Sequence, residues 1–239
     1  MTLHQILIND FNSIPSVLPN YTLFCQNELK RIYFDYDYCL WSNEKIKEFL
    51  KKHFDQSVIT AYDKLKPYSY KSDLARFCIL YVLGGIYVDL NTRFLNPIQH
   101  LSNAFYAFRD YSLSQRRGWY VSTSIIFSEP NNAILKTCIE TIVKNVSDNY
   151  YGETPLDPTG PGVLGRSIIN NPKNLSDNSG EIICITPMHE NKTLAFVQDN
   201  GNIVALRKPN APGDLTFFGF QGVNNYKEMW EQKNIYNDT

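Results

Sequence analysis

The stretch LGGIYVDLNTRF, residues 83–94, decides how the fold of this chain is predicted. Two glycines followed by Ile-Tyr-Val are typical of a short buried strand that is entered through a tight turn. We predict this strand over residues 86–89, so that Asp89 lies at its carboxyl end and Asn91 two residues further on. A carboxylate and an amide oxygen can together hold a hard divalent cation. The segment is therefore either half of a cation site or only the end of a strand.

A helix is predicted directly before the two glycines, over residues 72–83, with Ser72 as its N-cap. Asp73 and Arg76 are three positions apart in this helix, so their side chains share one face. Opposite charges on an otherwise apolar helix either pair with each other or project into a polar cleft and bind hydroxyl groups. Ligands of open α/β sheets bind beyond the carboxyl ends of the strands, which favours a cleft at Asp89.

Outside this segment, strands and helices alternate in the first half of the chain, and the pattern becomes mixed in the second half. This pattern predicts one α/β domain over residues 1–239, with a mostly parallel sheet and helices on both faces. The other predicted strands cover residues 3–8, 32–41, 104–108, 119–127, 181–186 and 203–206. The other helices are predicted at 43–53, from Pro130 to about Val146, from Thr159 onward and at 224–230.

The composition excludes several classes of protein. Charged residues make up 20%, the formal net charge is −1 and the chain has no long basic run, which argues against non-specific nucleic-acid binding. No window reaches the roughly 18 apolar residues that a membrane helix needs. The 5 cysteines form no CxxC pair, which indicates reduced thiols. Because the first residues are too polar for a signal peptide, we expect a cytoplasmic protein, and peripheral membrane association stays open.

The whole segment from residue 71 to residue 92 resembles the sugar-binding DXD region of glycosyltransferase family 32. This family includes fungal Golgi mannosyltransferases and bacterial capsule and lipopolysaccharide enzymes, and large glucosylating toxins share its arrangement. The family pattern is Ser-Asp, two residues, Arg, an apolar helix, Gly-Gly, an apolar residue, Tyr, one residue and Asp-x-Asp. The chain matches this pattern at Ser72, Asp73, Arg76, Gly84, Gly85, Tyr87 and Asp89. It departs at Asn91, where the family usually has the second Asp.

The likeness extends more loosely over about residues 3–170. FDYDY, residues 34–38, contains a literal Asp35-Tyr36-Asp37, but the resemblance assigns it to a strand ahead of the site. We therefore interpret this Asp-x-Asp as a decoy. DPTGPGVLG, residues 157–165, is similar to a Thr-Gly-Pro helix start near the acceptor side of the family's site.

The resemblance implies a GT-A-type nucleotide-diphospho-sugar transferase fold and a metal-dependent retaining glycosyltransferase. Such an enzyme moves a hexose from a nucleotide-diphosphate sugar to a hydroxyl of a glycan acceptor, for example a capsule or lipopolysaccharide. Its cofactor would be Mn²⁺ or Mg²⁺, bridging the two phosphates of the donor.

The resemblance also implies roles for individual residues. Asp73 and Arg76 would be catalytic and hold hydroxyls of the donor sugar, while Gly85 and Tyr87 would belong to the donor-binding site. Asp89 would contact the ribose and the metal, with Asn91 at the metal position. A further metal ligand from a C-terminal loop would be one of three amides, Gln221, Asn224 or Asn225.

Asn91 leaves a second function open, because an amide brings one negative charge fewer to a cation than a carboxylate. The chain could be a non-catalytic member of the same fold that only binds a nucleotide or a glycan. A glycoside hydrolase is a third hypothesis, with Asp73 and Asp89 as two acids across a cleft. Arg76 beside Asp73 counts against the hydrolase, since a guanidinium favours the ionised form of its neighbour.

Overall fold

The computed structural model of the protein describes residues 1–10, 14–99, 105–110, 119–172, 179–186, 193–207 and 224–237. The strands in these ranges are β1 (Thr2–Ile6), β2 (Asp37–Trp41), β3 (Gly85–Val88), β4 (Thr92–Phe94), β5 (Phe105–Asp110), β6 (Val121–Ser128), β7 (Gly180–Thr186), β8 (Thr193–Val197) and β9 (Ile203–Arg207). The helices are α1 (Asn20–Ile32), α2 (Asn43–His53), α3 (Gln56–Lys64), α4 (Tyr68–Leu83), α5 (Ala133–Ser147), α6 (Pro161–Asn170) and α7 (Tyr226–Glu231).

The described strands form one sheet in the order β2-β1-β3-β6-β5-β7-β8-β9-β4. β1 pairs in parallel with β2 and β3, and β5 pairs in parallel with β7. The remaining neighbours are antiparallel. The α/β class is confirmed, but the prediction of a mostly parallel sheet is wrong, because five of the eight pairs of neighbouring described strands are antiparallel. The single-domain assignment stays a prediction.

Side chains of β3 alternate between two buried apolar layers, as expected for a strand covered on both faces. Ile86 and Val88 belong to a layer that includes Leu29 of α1. Tyr87 belongs to the opposite layer, which contains the apolar faces of α2 to α6. Phe77, Cys78 and Leu80 of α4, fully buried, form part of that second layer.

The sheet curls back on itself at the segment of interest. β3 and β4 are six places apart in the strand order, which in a flat sheet would separate them by about 29 Å. Only residues 89–91 connect them, and the four peptide units from Val88 to Thr92 reach at most about 15 Å. The far edge of the sheet must therefore bend over until β9 and β4 lie beside the end of β3.

Helix α4 begins at Tyr68, so the prediction of an N-cap at Ser72 is wrong. The side-chain oxygen of Asn224, from the C-terminal segment, accepts a hydrogen bond from the Tyr68 N–H (2.6 Å) and caps the helix from a distance. The helix ends as predicted, because Gly84 has φ +63°. The chain then enters β3 at Gly85, and Asp89 lies just beyond the strand end.

Candidate active site

Four charged side chains meet where β3 ends beside β6 and β9. Asp73 and Arg76 come from α4, Asp89 follows β3, and Arg207 is the last residue of β9. Arg76 bridges the two carboxylates: its Nη2 lies 3.3 Å from Asp73 Oδ1, and its Nη1 lies 3.1 Å from Asp89 Oδ1. The structure therefore brings together the charged residues that the sequence predicted, and it adds one.

Arg76 is the fixed centre of this cluster. It is 5% exposed, and it also donates from Nε to the Ser72 carbonyl (3.1 Å) and from Nη1 to the Thr123 carbonyl (2.6 Å). Its guanidinium carbon lies 4.4 Å from the centre of the Tyr87 ring. Burial opposes the charge, but Tyr87 and the two carboxylates raise the pKa of Arg76 above its ordinary value. Arg76 therefore remains a cation that already uses its donors.

Asp73 lies beneath Arg76 and is 7% exposed. Its Oδ2 accepts a hydrogen bond from the Thr159 hydroxyl (2.9 Å) and its Oδ1 from the Thr123 hydroxyl (3.3 Å). Burial raises the pKa of the Asp73 carboxyl, while Arg76 and the two hydroxyls oppose that shift. A Cβ on Gly160 would lie 3.0 Å from Oδ2, so glycine at that position lets the loop approach.

Asp89 is the carboxylate of the cluster that reaches solvent, with 26% of its side chain exposed. The Tyr87 hydroxyl donates to Oδ1 (2.9 Å), which also accepts from Arg76. Its Oδ2 faces Nη1 of Arg207 at 3.7 Å. The backbone N–H of Asp89 donates to the Ser124 carbonyl (2.8 Å), which fixes the chain just after β3. Oδ1 is thus held by two hydrogen bonds, whereas Oδ2 faces Arg207 at a longer distance.

Asn91 follows in a turn that is closed by a hydrogen bond from the Thr92 N–H to the Asp89 carbonyl (3.1 Å). Its side chain is buried, with 7% exposure. Position 91 is therefore next to the carboxylate along the chain but less accessible than Asp89.

Gly85 lies at the opposite end of β3, about 13 Å along the strand from Asp89. It has φ +103°, and a Cβ there would lie 2.3 Å from the Thr2 carbonyl of β1. This position requires glycine so that two backbones can pack, and a donor-binding role for Gly85 remains only a prediction.

The three amides predicted as further metal ligands have different positions. Asn224 caps α4, and Asn225 caps α7 by accepting from the N–H groups of Lys227 and Glu228. Gln221 lies outside the described residues. The predicted role of the two described amides is therefore in competition with hydrogen bonds to backbone groups.

Arg207 is the functional candidate that sequence reasoning missed. Its Nη1 donates to the Ser124 hydroxyl and faces Asp89. The antiparallel pairing of β4 and β9 places it directly opposite Thr92. No local sequence pattern marks this arginine, because only the curl of the sheet brings it to the site.

A divalent cation would find part of a site at Asp89. In the described part of the chain, no three His, Cys, Asp or Glu side chains are grouped closely enough to hold a metal ion. The carboxylate oxygen that the cation could bind is Oδ2 of Asp89, and Asn91 lies two residues further on with a buried side chain. Mg²⁺ and Mn²⁺ commonly bind through one or two protein oxygens, with water and substrate phosphates completing the shell. The residues therefore fit a cation that binds together with a diphosphate.

An acid–arginine–acid network at a strand end of a mixed α/β sheet is an arrangement suited to a glycosyltransferase, and comparisons with known proteins identify that class. Residues 19–109 match the family model described as "Glycosyltransferase sugar-binding region containing DXD motif". The predicted enzyme class, a glycosyltransferase, is confirmed, and the predicted resemblance to this family is confirmed over these residues.

Two curated relatives support this enzyme class, and one solved structure has a similar fold. The chain is 28% identical over 187 residues to "Uncharacterized glycosyltransferase L373" of Acanthamoeba polyphaga mimivirus, covering 78% of this chain and 71% of that protein. It is 32% identical over 110 residues to "Inositol phosphoceramide mannosyltransferase 3" of Schizosaccharomyces pombe, covering 41% of this chain and only 30% of that protein. "PaToxG Glycosyltransferase" has a similar fold, with a TM-score of 0.52, 18% identity and coverage of 71% and 68% of the two chains.

Proposed function

We propose that this glycosyltransferase moves a hexose from a nucleotide-diphosphate sugar to a hydroxyl of a glycan acceptor, with retention at the anomeric carbon and with Mn²⁺ or Mg²⁺. The observation that carries the proposal is the asymmetry of Asp89. Arg76 and Tyr87 hold its Oδ1, while its Oδ2 points to a partly exposed position at the strand end. A carboxylate held in this way presents one oxygen to a cation without rotating.

Asp73 and Arg76 are assigned to the donor sugar. Asp73 already accepts hydrogen bonds from two hydroxyl groups, those of Thr123 and Thr159, which is the chemistry by which a carboxylate holds sugar hydroxyls. Both assigned residues are more than nine-tenths buried. Direct contact with the sugar therefore requires the loop that carries Thr159 to move away, and a sugar hydroxyl then takes the place of the threonine hydroxyl.

The chemical step needs charge stabilisation more than a protein nucleophile. When bound, the cation would stabilise the negative charge that develops on the departing diphosphate. Arg76 contributes a permanent positive charge close to Asp89, and Asp89 would hold the cation. Asp73 is bound by a guanidinium and two hydroxyls, so we assign it to positioning. The leaving phosphate would accept the proton of the acceptor hydroxyl.

The acceptor and the compartment belong to the same proposal. We assign the acceptor to cell-envelope glycans such as capsule or lipopolysaccharide, and the site of action to the cytoplasm. The five cysteines of the described chain are free thiols, which is consistent with a reducing compartment. No helix in the described ranges has the length and apolar character to cross a membrane.

Substitution of Asp89 tests the cation site. We expect Asp89→Ala to abolish the Mn²⁺-dependent part of nucleotide-diphosphate binding, because Oδ2 supplies the one accessible carboxylate oxygen of the cluster. Isothermal titration calorimetry with UDP and GDP, each with Mn²⁺ and with EDTA, measures this effect. The matched control is Asp37→Ala, which removes an exposed carboxylate of the decoy Asp-x-Asp. Equal Mn²⁺-dependent affinity in Asp89→Ala and the wild type would contradict the assignment.

Donor turnover separates catalysis from binding alone. We expect slow Mn²⁺-stimulated hydrolysis of one donor in a panel of UDP- and GDP-hexoses. Mannose belongs in the panel, because one relative is named as a mannosyltransferase. Binding of a donor without turnover across the whole panel would favour the non-catalytic alternative that Asn91 suggests.

A further inference from the structure

Arg207 faces the carboxylate oxygen of Asp89 that the proposed function assigns to a cation. We propose that Arg207 pairs with this oxygen while the donor site is empty. When cation and donor bind together, Arg207 leaves the oxygen and binds the donor diphosphate. The inference rests on the proposed function, because it needs a cation at Asp89. It makes Arg207 both a competitor of the cation and a ligand of the phosphates.

The two arginines of the cluster differ in how completely their donors are used. The Arg76 guanidinium contacts two backbone carbonyls and two carboxylates at 2.6 to 3.3 Å. Arg207 donates from Nη1 to one hydroxyl, that of Ser124, and lies 3.7 Å from its carboxylate. It is three times as exposed, at 18% against 6% of the side chain. Its buried Nε has no hydrogen-bond partner among the described residues. Arg207 is therefore the arginine that can change partner at low cost.

A second unsatisfied polar atom lies beside Arg207. Thr92, its partner across the β4–β9 pair, has a hydroxyl that is buried and without a hydrogen-bond partner among the described residues. Residues paired across strands project to the same side of the sheet. A guanidinium nitrogen and a hydroxyl with unused donors on one side of a sheet are suited to the oxygens of a phosphate.

The charges of the cluster explain why the binding of a cation must involve Arg207. Asp73 and Asp89 carry two negative charges, and Arg76 and Arg207 carry two positive ones. A second acid at position 91 would leave an excess negative charge for a cation, whereas Asn91 leaves none. A divalent cation that enters alone must therefore displace a guanidinium from a neutral cluster. A cation that enters with a diphosphate brings the negative charge to which Arg207 can turn.

This exchange predicts opposite effects of one substitution. Arg207→Gln removes the competitor, so we expect it to bind Mn²⁺ alone at least about five-fold more tightly than the wild type. The same variant loses a phosphate ligand, so with saturating Mn²⁺ it should bind UDP or GDP at least about ten-fold more weakly than the wild type. Arg207→Lys keeps the charge but loses the planar fork, and its affinities should lie between those of wild type and Arg207→Gln.

The matched control is Arg93→Gln, which makes the same change of charge on the neighbouring strand. Arg93 is paired with Leu206 and points to the other side of the sheet, with its guanidinium over the Phe24 ring at 5.0 Å. We expect its Mn²⁺ and nucleotide affinities to equal those of the wild type. Mn²⁺ binding is measured by electron paramagnetic resonance of the unbound ion, and nucleotide binding by calorimetry, after circular dichroism has shown that each variant is folded.

The outcomes separate this inference from the proposed function. Tighter Mn²⁺ binding with weaker nucleotide binding in Arg207→Gln supports the exchange. Mn²⁺ affinity that is unchanged or weaker in that variant overturns it, and so does unchanged nucleotide affinity. If Asp89→Ala leaves Mn²⁺ binding intact, the cation site itself is wrong. If Asp89→Ala removes Mn²⁺ binding and Arg207→Gln does not tighten it, the proposed function stands and the role of Arg207 falls.

Discussion

At the scale of single residues, Asn91 bears on the charge available to a cation, because an acid at this position would add one negative charge beside Asp89 in the sequence. The family resemblance puts a second acid at this position, and Asn91 is buried two residues after Asp89. A charged side chain at this position would be poorly solvated without a cation and well placed with one. The same substitution should therefore have opposite effects on the apo protein and on metal binding.

We expect Asn91→Asp to raise Mn²⁺ affinity about ten-fold, and to lower the free energy of unfolding in EDTA by at least about 1 kcal/mol. Chemical denaturation with EDTA or with saturating Mn²⁺ measures both effects. Asn27→Asp, the same change at an exposed position of α1, is the control and should alter neither quantity. A variant that is destabilised equally with and without Mn²⁺ would show that the amide serves internal packing instead.

The residues of the site divide according to how they could be predicted. Asp73 and Arg76 share a helix face, and a two-glycine turn returns the chain to Asp89, so local spacing was enough to group them. Thr159 and Arg207 reach the same cluster from a distant loop and from the far edge of the sheet. The Thr-Gly-Pro segment that contains Thr159 was placed near the site only by the family resemblance. Nothing in the local sequence marks Arg207, because strand pairing creates its contacts.

At the scale of elements, the junction of α4 and β3 positions the site. Asp73 and Arg76 lie before this junction and Asp89 after it, so its geometry sets the distances between them. Gly84 makes the turn at φ +63°, and a Cβ there would lie 2.7 Å from Cδ of Pro130. The junction therefore depends on both the backbone freedom and the small size of glycine.

We expect Gly84→Ala to lower the free energy of unfolding by at least about 3 kcal/mol, because a left-handed backbone and a steric clash act together. Gly201→Ala is the matched control, since Gly201 has φ +82° and no atom within 4 Å of its Cβ position. That control should lose only about 1–2 kcal/mol. Urea denaturation of both variants measures the difference, and equal losses would mean that contact with Pro130 contributes nothing.

Element prediction was accurate where the period of the apolar pattern was clear. The predicted helix 43–53 matches α2, and the predicted strands 181–186 and 203–206 match β7 and β9 to within one residue. The strand predicted at 32–41 is instead the end of α1, a turn and β2. Helices α1 and α3 were missed. Asp35 therefore lies in the turn before β2, and Asp37 is the first residue of that strand and is exposed.

At the scale of the whole molecule, a buried histidine joins three elements of the fold. The Trp41 indole N–H donates to Nδ1 of His4 (3.2 Å), so Nε2 carries the proton and donates to the Gly84 carbonyl (2.9 Å). This arrangement links β1, β2 and the end of α4 through a neutral imidazole. Burial lowers the pKa of His4 to about 4, although the bond to Gly84 opposes the shift.

This histidine predicts a loss of stability in mild acid. The unfolded chain binds a proton at His4 near its ordinary pKa of about 6.5, whereas the folded protein binds it only near 4, so the free energy of unfolding falls with pH between these values. From about pH 7.5 to about pH 5 the contribution of His4 to this fall is about 2 kcal/mol. Denaturation curves of wild type and His4→Gln measure it. The variant should lose this part of the pH dependence, and an unchanged slope would refute the assignment.

The arrangement of the sheet was the least predictable feature. Alternating strands and helices in the first half correctly indicated an α/β protein. The direction of the later strands depends on pairings such as β5 with β6 and β8 with β9, which follow from connections and not from apolar patterns. The prediction of a mostly parallel sheet was wrong for that reason. The position of β9 beside Asp89 could not be predicted for the same reason.

The three-residue link between β3 and β4 has an evolutionary consequence. The link joins β3 to the edge strand β4 of a curled sheet and carries Asp89 within the same stretch. An inserted residue would shift the pairing frame of β4 and move Asp89 away from its arginines at the same time. During evolution this link can therefore accept the substitution of one side chain for another, but not the insertion of residues.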